Sequence, residues 1–332
     1  MITVTGATGR IGRRLLAALS KGKEPVCAIV RSRESVEKLP KGAKWRLASL
    51  STGAGLRDAL ADTDKVVNLA GAVGTHLPEH ELFISNVTST SHLFTSLPAT
   101  VQRVVHISSI AIYGKKPACL PADEFCKPQP DSAYAKTKWG GELVARAHAA
   151  RFPVTVLRPA IVCGPEFSEG FFPVISALEK GSMKIIGSGE NHVPLVHVND
   201  VVSAIVSSLH SSKKGLSTYN ISAPPEKTLT QEELFTLAAK ALRVPPPNSH
   251  ISYPAAKLTV HFRSCLLSLF GRKSSLTSDM IGQLYYDRVF DISQATRELG
   301  WFPKIGLKEG VLQTVKAYKE WKHGQNKRVF AE

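Results

Sequence analysis

The first twelve residues, Met1-Ile-Thr-Val-Thr-Gly-Ala-Thr-Gly-Arg-Ile-Gly12, restrict the fold more than any other stretch. An apolar run, Met1 to Thr5, leads straight into Gly6, Gly9 and Gly12, and Leu15, Leu16 and Leu19 then recur at helical spacing. A strand that breaks at glycines and opens a helix can hold the pyrophosphate of a dinucleotide. Glycine permits a tight turn and close backbone approach, while the unbonded amides of the helix N-terminus face the anion. Thr5, Gly6, Thr8, Gly9, Arg10, Ile11 and Gly12 are the candidate contacts there. The spacing is Gly-x-x-Gly-x-x-Gly, one residue longer in its first interval than the usual dinucleotide fingerprint. A plain glycine-rich loop is the competing reading, and the flanking strand and helix weigh against it.

Further apolar runs alternate with helical patterns. Glu24–Val30, Lys44–Leu50, Lys65–Leu69, Arg103–Ile107 and Val154–Leu157 read as strands. Between them Leu56–Leu60, Leu82–Leu97 and Tyr134–Ala150 read as helices. This alternation predicts an α/β fold, a doubly wound parallel sheet of the Rossmann type. After about Gly170 proline and serine rise and helices dominate. The expected organisation is a dinucleotide-binding domain over 1–169 and a smaller, interleaved α+β substrate domain over 170–332. Leu195–Val198 and Thr218–Ile221 are expected to return from it to the sheet.

Of 332 residues, 43% are hydrophobic and 21% charged, which suits a globular chain with a large core. The sequence has no run of eighteen apolar residues, so no membrane-spanning helix is expected. The N-terminal run is a core strand rather than a signal peptide, which predicts a cytoplasmic protein. Five scattered cysteines, Cys27, Cys119, Cys126, Cys163 and Cys265, show no metal-ligand spacing, and no metal is expected. Cys119 and Cys126 could pair in a loop, but reduced bystanders are the simpler reading. A net charge of +15 invites nucleic acid, yet the basic residues are dispersed without an aromatic-interleaved block. The densest cluster, Lys316–Arg328, reads as a solvated helix with a frayed end. Nucleic acid is therefore not an expected partner.

Arg31 follows the second strand, where a carboxylate would accept from the adenosine ribose of NAD. With Arg33 and Arg10 nearby, guanidinium groups suit a 2′-phosphate, so NADP is the expected cofactor and NAD the alternative. Tyr134 and Lys138 stand four residues apart on one helix face. An ammonium beside a phenol favours the phenolate and pulls its pKa toward neutrality. Ser109, at the end of the fifth strand, can donate to the same substrate oxygen. A solvent-facing Tyr and Lys is the bland alternative.

His106-Ile-Ser-Ser-Ile-Ala-Ile-Tyr-Gly114, the Tyr134/Lys138 pair, Arg158-Pro-Ala-Ile-Val-Cys-Gly-Pro165, Leu195-Val-His-Val-Asn-Asp200 and Phe290–Trp301 extend the pattern over nearly the whole chain. Together they resemble the extended short-chain dehydrogenase/reductases, the NAD-dependent epimerase/dehydratase superfamily. The resemblance implies hydride transfer at a nicotinamide, with Tyr134 as general acid/base, Lys138 lowering its pKa and binding the ribose, and Ser109 orienting the carbonyl. It implies that Asn86 supports Lys138, unless Asn86 is an ordinary polar helix residue. It adds Leu69, Ala70, Gly71, Ser108, Pro159 and Ile161 to the cofactor contacts. A homodimer through two helices per subunit is a further expectation from it. Departures are Ala48-Ser49-Leu50 where an adenine-side aspartate is usual, Asn68 for a common histidine, and Cys163 for a frequent tyrosine.

Nucleotide-sugar enzymes of that superfamily usually carry an arginine before the Val-His-Val strand, and Glu190–Val196 has none. Ile110-Ala111 also lacks a dehydratase's acid. Pro254–Lys273 reads as a helix with Lys257, His261, Ser264 and Ser268 on one face and Leu258, Val260, Phe262, Leu266, Leu269 and Phe270 as the rest. It is either a lid over the substrate or a helix lying on a membrane surface. With Gly271–Thr277 it resembles the hydroxysteroid dehydrogenase-like branch. The expected activity is therefore NADP-dependent interconversion of a hydroxyl and a ketone on an apolar small molecule. A nucleotide-sugar epimerase or dehydratase is the alternative, and a catalytically silent NADP sensor a further one. His197 and His261 read as hydrogen-bonded structural residues.

Overall fold

Runs rich in valine and isoleucine form the strands of one parallel sheet. The structure, a computed structural model, describes residues 1–74, 77–269 and 278–329. In chain order the first half is β1 Ile2–Thr5, α1 Arg10–Leu19, β2 Val26–Val30, β3 Lys44–Leu47, α2 Leu56–Leu60, β4 Lys65–Asn68, α3 Glu79–Phe83, α4 Ser89–Ser96, β5 Arg103–Ile107, α5 Ala133–Ala147 and β6 Val154–Pro159. The second half is β7 Ile161–Cys163, α6 Ser168–Glu179, β8 Ile185–Ile186, β9 His192–Val193, β10 Leu195–His197, α7 Val198–Leu209, β11 Leu216–Ile221, β12 Leu229–Thr230, α8 Gln231–Leu242, β13 His250–Ile251, α9 Tyr253–Leu269, α10 Ser278–Tyr285, α11 Ser293–Leu299 and α12 Leu307–Val329.

The main sheet has the order β11-β6-β5-β4-β1-β2-β3, with every pair parallel. β1, β5 and β6 are buried along their whole length, as expected of strands covered by helices on both faces. The chain steps outward from β1 through β2 to β3 and then returns to β4. The order therefore reverses between β1 and β4, and a crevice opens there beyond the carboxyl ends of the strands. β11 comes from the second half of the chain and completes one edge, as expected for Thr218–Ile221.

Four expectations need correction. Leu195–Val198 does not reach the main sheet; β10 pairs in parallel with β7 in a separate two-stranded ribbon. The strand expected over Lys44–Leu50 ends at Leu47. The helix expected over Leu82–Leu97 is divided by a π turn at Ile84–Thr88, which neither proline nor glycine announces. The helix holding Lys316–Arg328 is not merely solvated, because Val311, Thr314, Val315 and Tyr318 are buried. It packs against α6 and α8 around a second core that includes Ile175 and Phe235.

α9 buries Ala256 and Val260 against Ile186 and Ile281. Leu258 and Phe262 face outward, 56% and 64% exposed, so apolar and polar residues are not cleanly segregated on this helix. Phe270 and Gly271–Thr277, with Arg272 and Lys273, lie outside the described residues. Among the described residues no helix is long and apolar enough to cross a membrane.

Candidate active site

The glycine turn sits at the crevice. Gly6 has φ of +64°, and a Cβ on it would lie 2.6 Å from the Leu69 carbonyl carbon. A Cβ on Gly12 would lie 2.4 Å from the Gly6 oxygen. These two glycines are thus required by the protein's own packing. Gly9 differs: it is exposed, and a Cβ there would meet just the Gly6 oxygen, at 3.1 Å. The space over Gly9 is what a pyrophosphate needs for close approach. α1 begins directly behind it with no side chain capping its first turn, so its amides remain available to an anion. Thr8, Arg10 and Ile11 are half-buried in this turn, and the Arg10 guanidinium lies 5.4 Å from the Phe167 ring centre. Leu69, Ala70 and Gly71 face it across the switch point. Arg31 and Arg33 are exposed just beyond β2.

Thr5 and Ser108, expected among the cofactor contacts, turn their hydroxyls inward. The buried Thr5 hydroxyl donates to Asn68 Oδ1 at 2.7 Å and accepts from the Ala70 amide at 3.4 Å, so it shapes the β4 turn. The Ser108 hydroxyl donates to Glu142 Oε2 at 2.7 Å beneath the sheet's end. Pro159 is buried at the end of β6, and Ile161 opens β7 half-buried.

The expected catalytic side chains converge. Ser109 ends β5 and caps the short 3-10 turn Ile110–Tyr113, its hydroxyl accepting from the Ala111 amide at 3.1 Å. Tyr134 opens α5, which Ser132 caps by accepting from the Ala135 amide at 3.2 Å. Burial pushes the Tyr134 phenol upward, and a hydrogen bond with Ser109 opposes that shift. Lys138, one turn on, is buried and donates from Nζ to the Ile107 carbonyl at 2.7 Å. Burial lowers its pKa to about 8, with Glu142 acting the other way. The ammonium is therefore bonded to the strand end rather than to the phenol, and the Tyr134 pKa is raised instead of lowered. Lys138 Nζ also borders Gly71: it lies 3.8 Å from where a Cβ there would be.

Asn86 lies in the π turn, a helix distortion frequent at functional sites. Its Oδ1 accepts from the Ala72 amide at 3.0 Å, and its Nδ2 donates to the Ala72 carbonyl and to Thr137 Oγ1 at 3.2 and 3.0 Å. It joins the β4 turn to the residue before Lys138, and so positions the lysine without touching it. Gly141 permits this closeness, since a Cβ there would lie 2.4 Å from the Asn86 carbonyl oxygen.

Beneath these residues runs a buried polar strut that the sequence reading missed. Glu142 is fully buried and receives Arg158 Nη2 at 2.6 Å, Arg158 Nε at 3.2 Å and Arg146 Nε at 2.9 Å. Burial works against its charge, but Arg158, Ser108 and Arg146 hold the carboxyl below its ordinary range. Arg158 Nη1 continues to Tyr113 Oη and to the Glu124 carbonyl, and Tyr113 donates to Asn220 Oδ1 at 2.9 Å. The available signal was spacing: Glu142 stands four residues after Lys138, on the same helix face. Arg158, which opens the Arg-Pro segment, is this strut's central cation.

Thr5, Asn68 and His106 form a second buried chain across β1, β4 and β5. Asn68 Nδ2 donates to His106 Nδ1 at 3.1 Å, and burial drives the imidazole pKa down to about 3. His197 is structural as expected: Nδ1 accepts from the Asn199 amide at 3.2 Å, and Nε2 lies 3.1 Å from Gln313 Oε1. Asp200 receives the Lys304 and Ile305 amides, and its carbonyl accepts from Trp301 Nε1 at 3.0 Å. The Val-His-Val-Asn-Asp and Leu-Gly-Trp motifs are thus two halves of one joint. Cys163 is buried under Gly310, and burial raises its pKa to about 12. His261 is exposed on α9.

Residues 2–222 match the NAD dependent epimerase/dehydratase family. A ketoreductase of Stigmatella aurantiaca acting on a 4-hydroxy-2-methyl-3-oxo-4-farnesyl-3,4-dihydroquinoline-1-oxide is 24% identical over 315 residues, 93% of each chain. UDP-glucose 4-epimerase of Vibrio cholerae is 26% identical over 96% of this chain and 95% of that protein. An uncharacterized protein of Sinorhizobium fredii is 30% identical over 270 residues, and there the chain spans 65% of the relative's length. Among solved structures, MoeE5 in complex with UDP-glucose and NAD superposes with a TM-score of 0.73 at 26% identity, covering 96% of this chain and 98% of that one.

Proposed function

Because the chain belongs to the NAD-dependent epimerase/dehydratase family, we propose that it is an NADP-dependent oxidoreductase interconverting a hydroxyl and a ketone on a largely apolar small molecule. The observation that carries the reading is the hydrogen-bonded Ser109–Tyr134 pair beside buried Lys138, facing the glycine turn across the switch point. Gly9 and the uncapped start of α1 fit a pyrophosphate, and Gly71 with Lys138 fits the ribose beyond it. Bound there, a nicotinamide supplies or accepts a hydride. Tyr134 gives a proton to the substrate oxygen or takes it back, and Ser109 holds that oxygen in place. Exposed Arg31 and Arg33 favour the 2′-phosphate of NADP.

The lack of an acid at Ile110-Ala111 and the arginine-free stretch before β10 weigh against a nucleotide-sugar dehydratase or epimerase and so favour an apolar substrate. A nucleotide-sugar epimerase is the second reading, favoured by the likeness to the Vibrio cholerae enzyme and to MoeE5 with UDP-glucose. Exposed Phe83, Ile84 and Leu143 on the faces of α3, the π turn and α5 support a dimer formed there.

The test is NADPH oxidation across a panel of ketones, run beside epimerisation of UDP- and GDP-sugars. Ketone-dependent oxidation that Tyr134→Phe cuts about 10²–10⁴-fold supports the oxidoreductase. Sugar epimerisation without net cofactor oxidation selects the second reading. A Tyr134→Phe enzyme as active as wild type removes Tyr134 from the chemistry.

A further inference from the structure

Among the described residues, Arg288 is a buried cation with N–H groups left unbonded. Arg288 is 3% exposed, and its Nε and Nη1 are buried without a hydrogen bond. Burial lowers its pKa to about 10, and Asp131 is the one charge acting against that shift. Buried guanidinium N–H groups without acceptors are strongly unfavourable, and a folded chain tolerates them where something outside the chain completes them.

Arg288 follows α10 and lies beside the bridge that joins residues 289–291 to Ala122. The Val289 carbonyl accepts from the Ala122 amide at 2.8 Å, and the Asp291 amide donates to the Ala122 carbonyl at 3.0 Å. Residue 288 is thereby fixed against the loop that runs from Tyr113 to α5. That loop ends at Asp131, three residues before Tyr134. Asp131 Oδ2 already receives the Lys115 amide at 3.0 Å and Lys115 Nζ at 3.2 Å, and the same ammonium reaches Asp279 of α10 at 2.9 Å. Asp287 is likewise engaged, its Oδ1 accepting from the His192 amide at 2.7 Å. The acids of this corner are occupied, and Arg288 is the charge left over.

We propose that Arg288 binds an acidic group of the substrate, a carboxylate or a phosphate, beside the hydroxyl or ketone that Tyr134 serves. A guanidinium suits both, because its fixed N–H groups match the oxygens of either anion. The proposal rests on the assignment of Ser109 and Tyr134 to the substrate side, and it narrows the substrate from an apolar ketone or alcohol to one that also carries an anion.

The full chain is first saturated with NADPH, followed by its fluorescence, so that the cofactor site is filled. It is then titrated with inorganic pyrophosphate and, separately, with malonate, with binding read by calorimetry. At least one probe binds wild type, Arg288→Met weakens it tenfold or more, and Arg288→Lys keeps part of the affinity. Which probe binds distinguishes phosphate from carboxylate recognition. Because Nε and Nη1 make no hydrogen bond among the described residues, Arg288→Met melts no lower than wild type in the absence of anion. Absence of binding by wild type, unchanged binding by Arg288→Met, or a variant that melts several degrees lower or fails to fold would each overturn the proposal. Failure of NADPH to bind counts against the cofactor assignment and is read in the same experiment before any anion is added.

Discussion

Two arginines at similar depth have opposite surroundings. Arg158, 1% exposed, is held by both oxygens of Glu142, by Tyr113 and by the Glu124 carbonyl. Arg288, 3% exposed, has no bond at Nε or Nη1. Burial alone therefore does not tell a structural charge from a functional one. The count of satisfied N–H groups does. Arg158 joins α5 to β6 and to the loop beyond Tyr113, and so fixes the floor on which Tyr134 and Lys138 stand. Among the described residues Arg288 Nε and Nη1 hold nothing, and these are the groups the proposed anion would meet.

The sharpest way to break this comparison is to make Arg158 resemble Arg288. Glu142→Leu leaves the Arg158 guanidinium buried and unmatched, and is expected to lower unfolding free energy by about 3–5 kcal/mol. The double variant Glu142→Leu/Arg158→Met removes both charges and recovers most of that loss. Urea unfolding of the three proteins decides it. If Glu142→Leu is as stable as wild type, the strut is not what holds the floor. Tyr134 and Lys138 lie on the same helix, so Glu142→Leu should also depress turnover beyond what its lowered stability explains.

A second pair of arginines sharpens the same point at the surface. Arg31 and Arg33 are exposed, so removing them costs the fold nothing of consequence. If they meet the 2′-phosphate, Arg31→Ala/Arg33→Ala loses hydrogen bonds to a charged group, each about 1.5–3 kcal/mol, and NADPH affinity falls tenfold or more. NADH affinity stays within about twofold. Fluorescence titration with both cofactors measures this directly, and equal losses for the two would defeat the NADP assignment.

What the sequence disclosed follows from distance along the chain. The glycine turn is legible because Gly6, Gly9 and Gly12 are local and the strand and helix flank them. Ser109, Tyr134 and Lys138 are legible as a pattern of residue types at fixed spacing. The inward roles of Thr5 and Ser108 are not, because their partners Asn68 and Glu142 lie 63 and 34 residues away. Tyr113 and Asn220 are separated by 107 residues and meet through pairing that no local pattern encodes. The π turn at Asn86 is equally silent, since its residues are ordinary for a helix and the contacts Asn86 makes there, with Ala72 and Gly141, are 14 and more residues away. Arg288 lay unremarked beside Phe290–Trp301, a motif whose role is the joint with Asp200.

Lys138 gives the smallest effect and the most specific one. Its folded pKa is about 8 against an ordinary 10.5, because burial penalises the ammonium. Between those values the unfolded chain binds more protons than the folded one, so stability rises with pH across about pH 8 to 10.5. Activity is expected to move in the opposite direction: once Lys138 loses its charge, the cation beside Gly71 at the proposed ribose site is gone, and kcat/KM falls above about pH 8. Lys138→Arg keeps a cation there and moves that falling limb to higher pH, whereas Lys138→Met removes both the limb and the alkaline gain in stability. A wild-type profile that is flat from pH 7 to 9.5, or a Lys138→Met protein that still gains stability over the alkaline window, would assign the titration to another group. Arg288 provides the internal control. Burial lowers its pKa only to about 10, so anion binding there persists at pH 9 while turnover through Lys138 declines.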